Sequence, residues 1–151
     1  MRIKLILLLL PLAINISCSR KQAPVAVDPP LAPERGQVWQ LVALQGRTLD
    51  RNKQSPTLSF NPDTRTASGT AYCNEYTFHY TLAHPQQLPE GDRYEVQFTF
   101  WGSGTTECPE GNMNAERRYL GMLGKATSLS LTATTLTLYQ KNRELMNFEL
   151  Q

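Results

Sequence analysis

Histidine, long apolar runs and surplus charge are all scarce in this 151-residue sequence. Two histidines leave little imidazole for acid–base or metal chemistry. The net charge is only +2, from fifteen basic and thirteen acidic residues. Arg2 and Lys4 supply that excess from the first four positions, and without them the balance is even. No basic stripe therefore offers itself to nucleic acid. No apolar run reaches the roughly 18 residues that span a bilayer. The glycine-rich stretch Trp101-Gly102-Ser103-Gly104 has no lysine or helix behind it at the spacing that cradles phosphate, and reads as a hairpin or connecting loop. Three cysteines are too few for a disulfide-built scaffold.

What is present begins with an address. Arg2 and Lys4 precede an apolar run from Leu5 to Ile14, broken by Pro11, which fits an export signal over residues 1–17. The run ends in Asn15-Ile16-Ser17-Cys18, which resembles the bacterial lipoprotein lipobox. That resemblance implies that the Cys18 thiol carries diacylglycerol, with palmitate-like chains giving firm anchoring through buried methylenes. Ser19 is not the aspartate associated with inner-membrane retention, so an outer-membrane position facing the periplasm is expected. Residues 18–36 hold Pro24, Pro29, Pro30 and Pro33 and few large apolar side chains, the composition of an extended spacer. The remainder, residues 37–151, suits one domain.

Within that remainder the dominant hydrophobic period is two. Tyr94, Val96, Phe98 and Phe100 alternate with polar residues, as do Phe78, Tyr80 and Leu82, Leu136 and Leu138, and Met146, Phe148 and Leu150. Val38 to Leu44 is more uniformly apolar, as in a strand covered on both faces. Leu58-Ser59-Phe60 ends at the turn signal Asn61-Pro62-Asp63, and Leu129-Ser130-Leu131 adds another short strand. Met113 to Leu123 breaks the rule: Met113, Tyr119, Leu120 and Leu123 fall near a helical stripe. Asn112 is placed to cap this helix, Glu116 to lie in its first turn and Gly124 to end it. The expected fold is mainly β: seven or eight short antiparallel strands in an incomplete barrel or strongly bent sheet, with one α-helix late in the chain.

With Cys18 assigned to lipid, Cys73 and Cys108 form an even pair in an oxidising compartment, where a bridge is favoured over free thiols. Such a bridge closes a loop of about 36 residues and stabilises by roughly 3.8 kcal/mol on the chain-entropy estimate. Two buried free thiols are the other reading. A metal site lacks a second ligand at short spacing, and no metal or cofactor is expected.

Around these cysteines the chain resembles the META domain family, which includes a heat-shock lipoprotein of enterobacteria. Val38-Trp39-Gln40-Leu41 followed by Gly46 is similar to its first strand and turn. Ser68-Gly69-Thr70-Ala71-Tyr72-Cys73-Asn74 is similar to its Gly…Cys-Asn signature, with Tyr72 where glycine is usual. Thr105-Thr106-Glu107-Cys108-Pro109, then Met113, Glu116, Tyr119 and Leu123, is similar to its helix entry. The resemblance implies an association with envelope stress or surface integrity and no settled molecular activity. Read as residues alone, Trp39, Gly69, Asn74 and Glu116 are structural. Gly69 suits a positive φ or a close backbone approach, Asn74 a left-handed turn position, and Glu116 a helix start.

Catalytic residues are not expected. His79 lies on the polar side of its strand, and His84 precedes Pro85 in a loop. Asp92 and Glu95 read as solvated groups rather than an acid–base pair. Tyr72, Tyr76, Trp101 and Tyr139 are the aromatic candidates for a recognition patch, although most aromatics in such a domain fill its core. The expected function is thus a non-catalytic, monomeric envelope lipoprotein, bound to the membrane by its lipid and to an unknown envelope protein by sheet edge or barrel rim. The alternatives are an inhibitor of an exogenous enzyme such as lysozyme, or a pilotin-like assembly factor that carries a hydrophobic tail in its barrel.

Overall fold

The computed structural model describes residues 32–50, 54–88 and 91–151. Cys18, the export signal and most of the proline-rich segment lie outside the described residues, as do the side chains of His84 and Asp92. At the near end of that segment Pro33 is buried, and Arg35 forms an ion pair with Asp63.

Nine strands and one helix follow in the order β1 (Trp39–Leu44), β2 (Arg47–Thr48), β3 (Thr57–Asn61), β4 (Thr66–Thr70), β5 (Glu75–Leu88), β6 (Gly91–Ser103), α1 (Glu110–Leu123), β7 (Ser128–Leu131), β8 (Thr135–Gln140) and β9 (Arg143–Leu150). All pairings are antiparallel in the order β2-β1-β3-β4-β5-β6-β7-β8-β9, and β9 also pairs with β1 from Trp39↔Leu150 to Leu44↔Met146. The sheet thus bends until its ends meet. It stops short of a clean barrel because two contacts are thin: Trp39↔Leu58 and Gln40↔Thr57 join β1 to β3, and Tyr94↔Leu129 and Glu95↔Ser128 join β6 to β7. The expected class holds. The strand count is nine, because β2 adds a two-residue strand, and β5 and β6 are long rather than short.

Local chemistry explains the turns. Gln45 and Gly46 have φ of 50° and 75°, the left-handed pair that matches a tight hairpin to strand twist. Asn61 Oδ1 accepts from the amides of Asp63 and Thr64 at 3.1 and 3.4 Å, which fixes the turn after β3.

Inward positions of the strands pack into one core, with Trp39, Leu58, Leu129, Leu136, Leu138, Met146 and Phe148 fully buried. Phe60 meets Tyr80 edge-on at 5.2 Å, and Phe78 meets Phe98 edge-on at 6.2 Å, the arrangement that ring quadrupoles favour. Each such side chain contributes about 1.5–3 kcal/mol by leaving water. The interior is therefore filled by the chain's own side chains, and a carried hydrophobic tail would have to displace them. Two-sided coverage of β1 is partial: Trp39 and Leu41 are buried, and Val42 to Leu44 are half-buried. Leu145 and Met146 are both buried because the ladder shifts register between Leu138 and Tyr139.

Candidate functional site

The signature residues converge at one end of the sheet. Ala71 to Asn74 form a tight turn closed by the Ala71 amide on the Asn74 carbonyl at 2.8 Å. Glu116, buried on α1, reaches this turn. Its Oε2 accepts from the Cys73 and Asn74 amides at 3.1 and 2.8 Å, and its Oε1 from Asn74 Nδ2 at 3.0 Å. Asn74 Oδ1 in turn accepts from the Thr106 amide at 2.9 Å. Cys73 is bonded to Cys108, with their Cα atoms 6.3 Å apart. A desolvated carboxylate is costly unless its oxygens are satisfied, and here three N–H donors satisfy them.

Several sequence expectations change here. Glu116 lies in the second helical turn, and the first turn carries Glu110, because the helix starts after Pro109 rather than at Asn112. The carboxylate serves the β4–β5 turn instead of its own helix. Asn74 is absent from the residues with positive φ, and its role is that of a cross-link. Helix residue Met113 is exposed, off the inward stripe of Glu116, Tyr119, Met122 and Leu123. Gly124 ends the helix as expected, in right-handed conformation.

Beside this node two phenols are buried together. Tyr76 and Tyr119 hydroxyls lie 2.7 Å apart, and Tyr76 donates to the Thr57 carbonyl at 2.6 Å. Loss of water pushes both phenols well above their ordinary range; the hydrogen bond from Tyr119 offsets part of this for Tyr76. Both stay neutral and serve as hydrogen-bond groups, not bases. Gly69 backs onto the same carbonyl so closely that a Cβ would collide with it. Of its two expected uses, close approach is the one realised. Trp39 is fully buried, and its Nε1–H has no acceptor among the described residues.

Of the polar residues weighed for chemistry, His79 and Glu95 have described side chains. His79 is exposed on β5, as expected, and stacks on Trp101 at 4.5 Å. His84 and Pro85 belong to β5 rather than to a loop. Glu95 is exposed on β6. Among the described residues no three His, Cys, Asp or Glu side chains group as metal ligands, and no helix is long and apolar enough to cross a membrane.

The aromatic candidates divide. Tyr76 is core, not surface, whereas Tyr72 and Tyr139 are half-buried. Trp101 is 65% exposed, and Phe100, which alternation assigned to the core, is 53% exposed. Phe100 keeps the inward register, edge-on to Phe78 at 5.2 Å, at the end of the ladder, and a bulge follows it. Phe78 pairs with Phe100 and Thr77 with Gly102, so Trp101 is an extra residue on β6. Trp101 to Ser103 are thus the last residues of a strand rather than a loop. Nothing in the period-two pattern marks that extra residue.

A family model described as the META domain matches residues 31–151. No curated protein matches the chain. Two solved structures are similar in fold. An NMR structure of a protein from Burkholderia xenovorans has 22% identity, TM-score 0.52 and coverage of 86% of this chain and 97% of that one. A second NMR structure has 20% identity, TM-score 0.50 and coverage of 76% and 88%. The match encloses the whole bent sheet and the Gly69, Cys73, Asn74, Cys108 and Glu116 node, and on that ground the chain belongs to the META domain family.

Proposed function

We propose that this META domain is a non-catalytic, lipid-anchored envelope module that binds another envelope protein through the outer end of β5 and β6. The observation that carries this reading is the exposure of Trp101, 65% exposed and stacked on the exposed His79 ring at the end of β6. Exposed aromatics are the side chains that anchor protein interfaces. A shallow groove of about 360 Å³ lies beside Trp101, lined by Glu75, Thr77 and Ser103. The packed interior, filled by the chain's own side chains, supports a binding role.

Photo-cross-linking in intact envelopes tests it. A photoreactive residue in place of Trp101 is expected to give one discrete protein adduct, and the same residue in place of Arg117 on the helix none. Equal labelling from both positions, or no adduct from either, would overturn the reading. The anchor is tested separately. Cys18→Ala should move the protein into the soluble fraction, and unchanged membrane association would remove the lipid from the account.

A further inference from the structure

The groove beside Trp101 has walls of different chemistry, and the sheet register explains both. Glu75, Thr77 and His79 alternate along β5 with the buried Tyr76, Phe78 and Tyr80, so they share its outer face. His79 holds one face of the Trp101 indole in a stack at 4.5 Å. His79 does not line the groove, so the groove lies against the other side of the indole. At 65% exposure that side is open to water. Thr77 pairs with Gly102 across the floor, and a Cβ built on Gly102 would meet nothing within 4 Å. The glycine therefore keeps the floor low. Glu75 is exposed in the same groove, one outward position beyond Thr77 on the side away from His79.

These walls select a ligand. The face of an aromatic ring is the negative part of its quadrupole and attracts cations, with tryptophan the strongest of the aromatic residues. Glu75 brings a carboxylate, the acceptor that cationic donors bind best. Among the described residues that line the groove none is basic, so a cation meets no like charge there. A guanidinium answers both walls at once: its plane stacks on an aromatic face, and its in-plane N–H fork matches a carboxylate. The volume of about 360 Å³ accommodates one such side chain.

We infer that this groove receives an arginine side chain of the partner protein, stacked on Trp101 and paired with Glu75. The inference rests on the reading that this end of β5 and β6 is the binding surface, and it gives that partner its chemistry.

The test is amide-shift titration of the isotope-labelled full chain with the capped peptide Ser-Gly-Arg-Gly-Ser. A second peptide carries citrulline, the uncharged isostere, in place of arginine. The arginine peptide should shift the Thr77 and Gly102 amides and the Trp101 indole N–H, and the citrulline peptide should bind about fivefold more weakly. Glu75→Gln and Trp101→Leu should each weaken the arginine peptide about threefold to fivefold. Gly102→Val, which fills the floor where no neighbour is packed, should abolish its binding. Glu144→Gln, at an exposed position on β9, should change nothing. Absence of shifts with the arginine peptide overturns the inference, as does equal binding of the citrulline peptide. Binding that survives both Glu75→Gln and Trp101→Leu also overturns it. So does a groove that responds to phosphatidylethanolamine vesicles and not to the arginine peptide, which would make it a headgroup contact. The Trp101 cross-link separates the two levels. An adduct without arginine binding keeps the binding surface and removes the arginine, whereas no adduct overturns the reading and the inference together.

Discussion

Two ends of the same sheet are built in opposite ways. Where β4 turns into β5, a disulfide, a satisfied buried carboxylate and a tyrosine pair all tie the turn to the helix and the segment before it. Where β6 meets β7, two residue pairs hold the ladder, and charged side chains line an open groove. The contrast teaches where a small domain can place recognition. Cross-links secure the fold around the β4–β5 turn, so exposed side chains beside it and the groove at β6 and β7 carry surface that contributes little to stability.

The comparison breaks first at the tyrosine pair. Tyr119→Ala empties a fully buried site and leaves Tyr76 without its partner, and should cost about 3–5 kcal/mol, read from denaturant midpoints. A loss under about 1 kcal/mol would mean that this end is not the stabilising one. Glu116→Gln keeps the shape but offers an amide where three N–H groups need acceptors, and should cost about 1.5–3 kcal/mol. The same measurement on the groove variant Arg93→Gln should show about 1 kcal/mol or less, the smallest effect of the set.

Between these extremes lies an alkaline response centred on the tyrosine pair. In the folded protein Tyr76 and Tyr119 keep their protons above pH 10, where an unfolded tyrosine releases its own. Folded phenols with raised pKa make their full contribution below about pH 10 and lose it as the pH climbs further. The fall should be about 1.4 kcal/mol per pH unit for each tyrosine. Tyr76→Phe should flatten this slope by its own share. An unchanged slope would place the titration elsewhere.

Much of the fold was legible before the coordinates. Alternation located the strands around Phe60, Phe98, Leu136 and Phe148 because a half-buried strand shows its two faces in turn. The Cys73–Cys108 bridge, favoured over two free thiols on the expectation of export, is present. Phe100 shows where that reasoning stops: period two assigns a face but not its coverage, and Phe100 keeps the register of Phe98 yet is 53% exposed at the end of β6. Glu116 was read against its own helix because its partners lie 42 and 43 positions away, beyond any local rule.

The sequence by itself determined the β character, the late helix and the stock of side chains that must be buried, since those follow from local periodicity and turn chemistry. Only the tertiary structure decided that Glu116 would serve a distant turn, that Tyr76 and Tyr119 would meet beside the Thr57 carbonyl, and that Arg93 would lie over the Tyr139 ring. Those pairings depend on how far the sheet bends and where its register slips. That is set by the whole core packing at once, not by any window of residues.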